Sequence, residues 1–524
     1  MNDALAAAWR LLPEYLGEHV LLSAAALALG MTISLPLAVA AIRSARVRWP
    51  VLAFASLIQT IPSIALLALF YPLLLALSAV SERLFGQGFA ALGFLPSLAA
   101  LTLYSMLPII RNSVTGVVNL DPAIIEAARG VGMTDRQRLL RIELPLATPM
   151  LMAGVRTAAV WVIGTATLST PVGQTSLGNY IFSGLQIENW VSVLFGCAVA
   201  AALALIVDQL LALIESGAAL RSRGRVVAGT VVLLIGVMAA AVPRLTADKS
   251  NYVIGAKNFS EQYILSALMA ERIRQQGHTA TRHVGLGSVI AFRALARNEI
   301  DAYVDYSGTI WTNIMKRTDM APRDVLLEQT RQWLLEKYGV VLLGSLGFEN
   351  AYALAMRSQQ AAELGIATIG DLARHAPQLR IGGDFEFFAR PEWHALESSY
   401  GLSFAGQQQF QSTFMYKAVA SGQVDVISAF SSDGRIAAEN LVVLQDPQQV
   451  IPPYDAIVLL APARANDPVL LRALRPLVQS IPVELMREAN MRVDREADKQ
   501  TPMQAARWLA RKAGVAEESA AVTR

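Results

Sequence analysis

The rhythm of hydrophobic and polar positions changes once along this chain, near residue 245. Before that point long apolar stretches are separated by short charged ones; after it, short apolar runs and helical patterns alternate with polar turns. A helix that crosses a membrane needs roughly 20 mostly apolar residues. Six stretches reach that length, at about 20–42, 52–77, 89–110, 149–170, 190–214 and 226–243. Every second connection between them is basic: Arg43, Arg46 and Arg48 follow the first span, a segment with four arginines at 126–145 follows the third, and Arg221, Arg223 and Arg225 follow the fifth. The other connections carry only Arg83. Basic loops stay in the cytoplasm, so the N-terminus and everything after the sixth span are expected outside it. The opening residues, MNDALAAAWRLLPEYLGEH, lack the basic start, apolar core and small-residue cleavage site of a signal peptide, and read as an amphipathic helix at the membrane surface. Arg156 falls near the basic end of the fourth span and reads as a side chain snorkelling to the interface.

The connection after the third span has a local code for two short helices. Asp121 is placed to cap the first, with Pro122 at its first position, and Gly130 and Gly132 break it. Thr134 and Gln137 have capping-box spacing and open a second helix, expected to end before Pro145. Leu139, Leu140 and Ile142 alternate there with Arg136, Arg138 and Arg141, which makes the helix amphipathic. From the residues alone, this is either an element that docks into a groove on another protein or a polar connector.

The spacing is more specific than either reading. Glu126-Ala127-Ala128, three residues, Gly132, nine residues, Ile142, one residue and Leu144-Pro145 resemble the EAA loop of the membrane subunits of bacterial ABC importers. The resemblance implies a coupling segment at about 121–145 in which Glu126, Ala127, Ala128 and Gly132 contact a separate ATPase subunit. The chain itself has no G-x-x-x-x-G-K-[ST]; GLGSVI at 285–290 lacks the later glycine and the lysine. ATP is therefore expected on the partner, with no cofactor in this chain.

The second half opens with NYVIGAKNFSEQYILSALMAERIRQQG, which reads as a buried strand, a polar turn and an amphipathic helix. Strand-and-turn units recur to residue 515, enough for two α/β lobes. GAKNFSEQYIL, EIDAYVDYSGT, FENAYALAM, MYKAVASGQVDVISAFSSDGRI, DPQQVIPPYDA and NMRVD resemble the substrate-binding proteins of osmoprotectant importers across residues 251–515. The first half is similar to the permease of the same importers. The expected fold class is multi-domain: an all-α membrane permease of about six helices at 1–243, a linker at 244–250, an α/β two-lobed type II flytrap at 251–515 and a tail at 516–524. The resemblance implies a multi-pass protein of the bacterial cytoplasmic membrane, with its binding domain outside. It also implies a homodimer, because only one permease half is present.

A quaternary ammonium donates no hydrogen bond, so its site needs aromatic faces, each contributing about 0.5–2 kcal/mol. Tyr306 and Tyr352 match cage positions implied by the resemblance, and Tyr416 and Tyr454 match more loosely. Gln262, Thr309, Asn350 and Arg390 are candidate donors for a carboxylate or hydroxyl at the ligand's other end, and the turn Ser431-Ser432-Asp433 is placed to close over it. Each has a plainer role open to it: a tyrosine in an α/β domain is often core, and Arg390 has Glu386 as a possible ion-pair partner. Two strings depart from the family pattern. Ser307 stands where threonine is common, and FEFFARPEW carries Pro391 and Trp393 where acidic residues and glycine are frequent. Glycine betaine, choline and carnitine are the expected ligand types; a related fused branch takes up ergothioneine, a trimethylated histidine derivative.

Composition narrows the rest. Over 524 residues the net charge is +3, and no basic run with interleaved aromatics points to nucleic acid. The single cysteine, Cys197, excludes an intrachain disulfide and a cysteine metal site. His19, His278, His283, His375 and His394 lack metal-ligand spacing and read as exposed loop residues; there is no G-x-S-x-G or H-E-x-x-H. A transporter subunit is expected rather than an enzyme. A ligand-gated channel or sensor built on a flytrap has no ATPase to dock, and a secondary transporter predicts inverted repeats that the spans lack.

Overall fold

Among the described residues the first half folds into ten α-helices: α1 (Asn2–Arg43), α2 (Ala45–Thr60), α3 (Ser63–Phe85), α4 (Phe94–Val118), α5 (Pro122–Gly130), α6 (Asp135–Arg138), α7 (Leu144–Ala166), α8 (Gly178–Gln186), α9 (Trp190–Ala219) and α10 (Arg223–Thr246). The computed structural model describes residues 2–86, 88–89, 93–186, 189–246, 252–317, 319, 321–384, 386–495 and 498–515. Residues 247–250 of the expected linker and the expected tail, 516–524, lie outside them. An all-helical unit and an α/β unit divide the chain near residue 247. In the helical unit six stretches are long and apolar enough to cross a membrane: Ala8–Arg43, Ser63–Phe85, Phe94–Val118, Asp135–Val172, Trp190–Ala219 and Arg223–Val242. The α4 span is the most buried of them and packs against both α1 and α7.

Five sequence expectations are corrected here. The stretch at 52–77 is not one helix: Ile61 turns to ψ 126° and Pro62 to ψ 135°, so α2 ends and α3 begins. Proline disfavours a helical residue before it and has no N–H to continue the ladder. The surface helix and the first span are one continuous helix, α1, with Pro13 and Pro36 inside it. Arg156 does not snorkel. Its Nε and Nη2 donate to Asp208 on α9 at 2.9 and 3.0 Å, and its Nη1 donates to Glu215 at 2.9 Å. Nor is His19 a loop residue: it is buried on α1 with Nε2 3.0 Å from the Ile163 carbonyl of α7. Lastly, the helix opened by Thr134 runs on past Pro145. A wide π-turn at Leu139–Glu143 joins α6 to α7, and this loosened turn accommodates a proline that cannot donate.

The rest of that connection follows its local code. The Asp121 carboxylate accepts from Ala123 N at 2.9 Å, and the Thr134–Gln137 capping box closes in both directions. Gly132 has φ +78°, a left-handed conformation that a side chain resists even with nothing within 4 Å of its would-be Cβ. Glu126, Ala127 and Gly132 are exposed while Ala128 is buried. Ile124, Val131 and Leu140 add exposed apolar surface, so the segment presents a mixed face.

Among its described residues the α/β unit holds ten strands: β1 (Tyr252–Lys257), β2 (Ala280–Leu286), β3 (Ala302–Tyr306), β4 (Val341–Glu349), β5 (Tyr352–Arg357), β6 (Arg380–Asp384), β7 (Gly406–Phe410), β8 (Val426–Phe430), β9 (Leu441–Val443) and β10 (Asp455–Leu460). They form two five-stranded sheets, in the orders β2-β1-β3-β10-β4 and β7-β6-β8-β5-β9. The sequence of β3 and of β10 is buried at every position, as a strand covered on both faces requires. The chain crosses between the sheets twice, from β4 to β5 through Asn350 and Ala351, and from β9 back to β10. The two lobes of the expected flytrap are these sheets with their helices.

Candidate functional site

Both crossings bring strand ends together, and the candidate residues collect there. All ten proposed ligand contacts are buried. They fall into three groups, around Glu261, Tyr352 and Tyr416.

Glu261 is the centre of the first. It lies in the first turn of the helix Ser260–Gln275, where the helix dipole favours negative charge. Its Oε1 accepts from the Tyr306 hydroxyl at 2.5 Å and from Asn350 Nδ2 at 3.1 Å; its Oε2 accepts from Ser432 at 2.6 Å and Asn490 Nδ2 at 3.0 Å. Tyr306 and Asn490 belong to the first lobe, Asn350 to the crossing and Ser432 to the second lobe, so one carboxyl ties all three parts. Gln262 supports the arrangement by donating to the Tyr306 hydroxyl at 3.0 Å while accepting from Lys257 N at 3.2 Å. Burial raises the Glu261 pKa, and the hydrogen bonds from Ser432, Tyr306, Asn490 and Asn350 oppose that rise.

Aromatic rings line the second group. Register sets Tyr352 of β5 directly opposite Phe430 of β8, with centroids 5.0 Å apart. Phe430 lies parallel to Phe259 at 6.3 Å, and Phe259 stacks on Tyr306 at 6.1 Å. The two tyrosines expected as cage walls are therefore joined by two phenylalanines the sequence reading did not single out. Tyr352 also meets Phe387 at 5.2 Å and the edge of Tyr454 at 6.1 Å, and the Arg390 guanidinium lies 5.0 Å from its centroid. Arg390 pairs with Glu386 at 3.0 Å and with Glu392 at 3.5 Å, and its Nη1 donates to the Tyr454 hydroxyl at 3.4 Å. Glu392 accepts from Tyr454 and, at 3.1 Å, from Thr312, which links the helix Pro391–Tyr400 of the second lobe to the first. Thr309 is buried on the turn Ser307–Thr309, beside Gly308. A Cβ on Gly308 would meet the Tyr454 ring at 2.6 Å, so only glycine lets that ring lie so close.

Tyr416 stands apart. Its hydroxyl accepts from Phe430 N at 3.1 Å and the Arg435 guanidinium covers its ring at 4.4 Å, so it fixes Phe430 from beneath. Asp433 binds Arg435 through both oxygens, at 3.0 and 2.6 Å. The turn before it is tied to the crossing, since Ala351 N donates to the Ser431 hydroxyl at 2.9 Å.

The two departures from the family pattern have defined places. Ser307 donates to the Pro453 carbonyl and accepts from Asp455 N, both at 2.9 Å, which pins β3 to the start of β10. Trp393 is buried against Phe387 and Phe388, with centroids at 5.2 and 5.3 Å. Glu261, Phe259, Phe430 and Asn490 were the residues missed. All four lie inside motifs that the resemblance rests on, and the need for more than two aromatic faces was the signal for the phenylalanines.

Phe259, Glu261, Asn350, Phe430, Ser432 and Asn490 border a cavity of about 20 Å³ between the lobes. That is room for about one water.

Residues 250–511 match the family described as the substrate binding domain of the ABC-type glycine betaine transport system, and residues 30–219 match the binding-protein-dependent transport system inner membrane component. The ergothioneine transport permease/ergothioneine binding protein EgtU of Helicobacter pylori is 28% identical over 454 residues, covering 83% of this chain and 79% of that protein. The glycine betaine/carnitine/choline transport system permease protein OpuCB of Bacillus subtilis is 37% identical over 199 residues, 38% of this chain and 84% of that one. A crystal structure of a glycine betaine/carnitine/choline ABC transporter is 27% identical, covering 51% of this chain and 99% of that chain with a TM-score of 0.45. The chain is a multi-pass membrane transport component rather than an enzyme, and its permease half implies a partner ATPase. It belongs to the family of the substrate binding domain of the ABC-type glycine betaine transport system, with that domain and a permease region carried on one polypeptide.

Proposed function

We propose that this chain captures a solute bearing a quaternary-ammonium group, of the glycine betaine, choline or carnitine type, and passes it through its own membrane helices as ATP is hydrolysed on a separate subunit. The observation that carries this reading is the run of aromatic faces Tyr306, Phe259, Phe430 and Tyr352 along the junction of the lobes. Such faces attract a cation that has no hydrogen to donate. Arg390, Gln262 and Asn350 are the candidate donors for the ligand's other end, and the turn Ser431-Ser432-Asp433 closes over it from the second lobe. Thr309 and Tyr454 shape the first lobe's wall, and Tyr416 acts through Phe430. Ergothioneine is the second reading, supported by the Helicobacter pylori relative, whose similarity runs through both halves of this chain.

In the same reading two copies of the chain form the pathway in a bacterial cytoplasmic membrane. The basic loops face the cytoplasm and the receptor, from about residue 251, faces away from it. Glu126, Ala127 and Gly132 meet the ATPase, with Ala128 setting the loop from inside, and the chain itself holds no cofactor.

The test is calorimetric titration of the full chain in lipid nanodiscs with glycine betaine, choline, carnitine and ergothioneine, alongside Phe430→Ala. One of the four is expected to bind saturably, and losing one aromatic face should weaken it about 2- to 30-fold. Binding of none of them removes the reading. With the partner ATPase added, Glu126→Arg is expected to abolish solute-stimulated ATP hydrolysis while leaving solute affinity unchanged; equal stimulation in the variant sinks the docking role.

A further inference from the structure

Glu261 is a buried carboxyl whose four contacts all come from neutral groups. Asn350 and Asn490 present amide N–H to it, which can only donate, and the Tyr306 and Ser432 hydroxyls complete two bonds on each oxygen. A carboxylate is acceptor-only, with about four lone-pair sites, so this pattern fits the ionised form. A buried charge ordinarily needs a countercharge. Among the described residues no cationic side chain pairs with it: Lys257 is paired with Asp305, and Arg435 with Asp433 at 2.6 Å and Asp494 at 3.9 Å.

The cavity beside Glu261 has the same character. Its border includes three carboxyl groups, Glu261, Asp433 and Asp494, against the single guanidinium of Arg435. Asn350 and Asn490, 7% and 3% exposed, also line it, and each keeps a buried Oδ1 with no hydrogen-bond partner. Two unpartnered carbonyl oxygens and a carboxylate, faced by the rings of Phe259 and Phe430, make a negative, acceptor-rich enclosure. A positive charge is attracted by each of these walls, whereas an uncharged guest of the same shape gains nothing from them.

We propose that Glu261 is the countercharge that sets the ligand's charge class: the site selects a permanently cationic, non-donating headgroup over its uncharged isostere through this carboxylate, beyond what the aromatic faces provide. This deepens the function proposed above and rests on it. Burial raises the Glu261 pKa, so the preference strengthens as pH rises and the group ionises. The other titratable and charged groups facing it are Tyr306 on β3, Asp433 and Arg435 after β8, Asp494 on the helix Val483–Asp494, and Lys257 on β1, 5.2 Å from the Tyr306 centroid.

The experiment measures choline against 3,3-dimethylbutan-1-ol, its carbon isostere, on the full chain in nanodiscs from pH 4 to 8, with glycine betaine as a control. Wild type is expected to prefer choline by more than tenfold at pH 8, and the preference should collapse as pH falls through the carboxyl range. Glu261→Gln is expected to cut the preference at least tenfold and to flatten most of its pH profile, while Glu261→Asp keeps it; Asp494 still titrates in both variants. A wild-type ratio that is flat with pH overturns the proposal without any variant having to fold, as does a Glu261→Gln ratio equal to wild type. Glycine betaine binding without choline also overturns it and leaves the proposed function standing. Failure of both ligands in wild type overturns the proposal, and the proposed function falls with it only if carnitine and ergothioneine fail too.

Discussion

Arg156 in the helical unit and Glu261 in the α/β unit are both charges taken out of water, and the two units treat them differently. Arg156 meets two opposite charges on a neighbouring helix, Asp208 and Glu215, through three hydrogen bonds. Glu261 meets four neutral donors. A charge facing hydrocarbon has no polar solvent to lean on, so the chain must carry its countercharge permanently. A charge at the junction of two lobes can be held by dipoles, which keep it ionisable while leaving its field available to a guest. Permanence suits a span, and availability suits a receptor.

The comparison breaks most severely at Arg156. Arg156→Leu leaves two carboxylates unpaired among apolar helices and is expected to cost about 3–5 kcal/mol, enough to deplete folded protein. Size-exclusion yield and thermal unfolding in detergent measure it, and Arg156→Leu with Asp208→Leu and Glu215→Leu should recover most of the loss. If the single substitution is tolerated, the triad is not a lock between α7 and α9.

A smaller effect comes from Asp494, which sits between the two cases. Burial pushes its pKa up to about 6 despite Arg435 nearby, with Asp433 adding to the rise. The folded state holds that proton more tightly than the unfolded chain does. The associated stability is fully present below about pH 4 and is lost as pH rises through about 6, on the order of 2–3 kcal/mol. Unfolding of the full chain across that window should show the decline, and Asp494→Asn should flatten it; a variant as pH-sensitive as wild type rules Asp494 out. Smallest is Thr134→Ala, which removes a local cap instead of a long-range partner and is expected to cost about 1 kcal/mol. Hydrogen exchange at Gln137 reads it directly: protection should drop there and nowhere in the α/β unit.

These magnitudes track what could be read from the sequence. The caps at Asp121 and Thr134 were legible because donor and acceptor lie two or three residues apart. The break at Pro62 was written in the residue itself, yet the apolar run around it hid it, since hydropathy is blind to a missing N–H. Partners of Arg156 lie 52 and 59 residues away, and those of Glu261 as far as 229, distances at which no periodicity survives. Tyr306 and Tyr352 were reachable through motifs; Phe430 became visible only once the antiparallel register of β5 and β8 set it opposite Tyr352. Pro145 misled for the opposite reason, because the π-turn at Leu139–Glu143 absorbs the proline that normally ends a helix.

That π-turn has a mechanical meaning. A docking loop joined to its span by a flexible elbow would dissipate a push as bending. Here the helical run from Asp135 to Ala166 is unbroken, about 48 Å of rod at 1.5 Å per residue. Under the proposed docking role, a push delivered next to Thr134 would travel along one continuous helix to Arg156, whose bonds to Asp208 and Glu215 join it to α9.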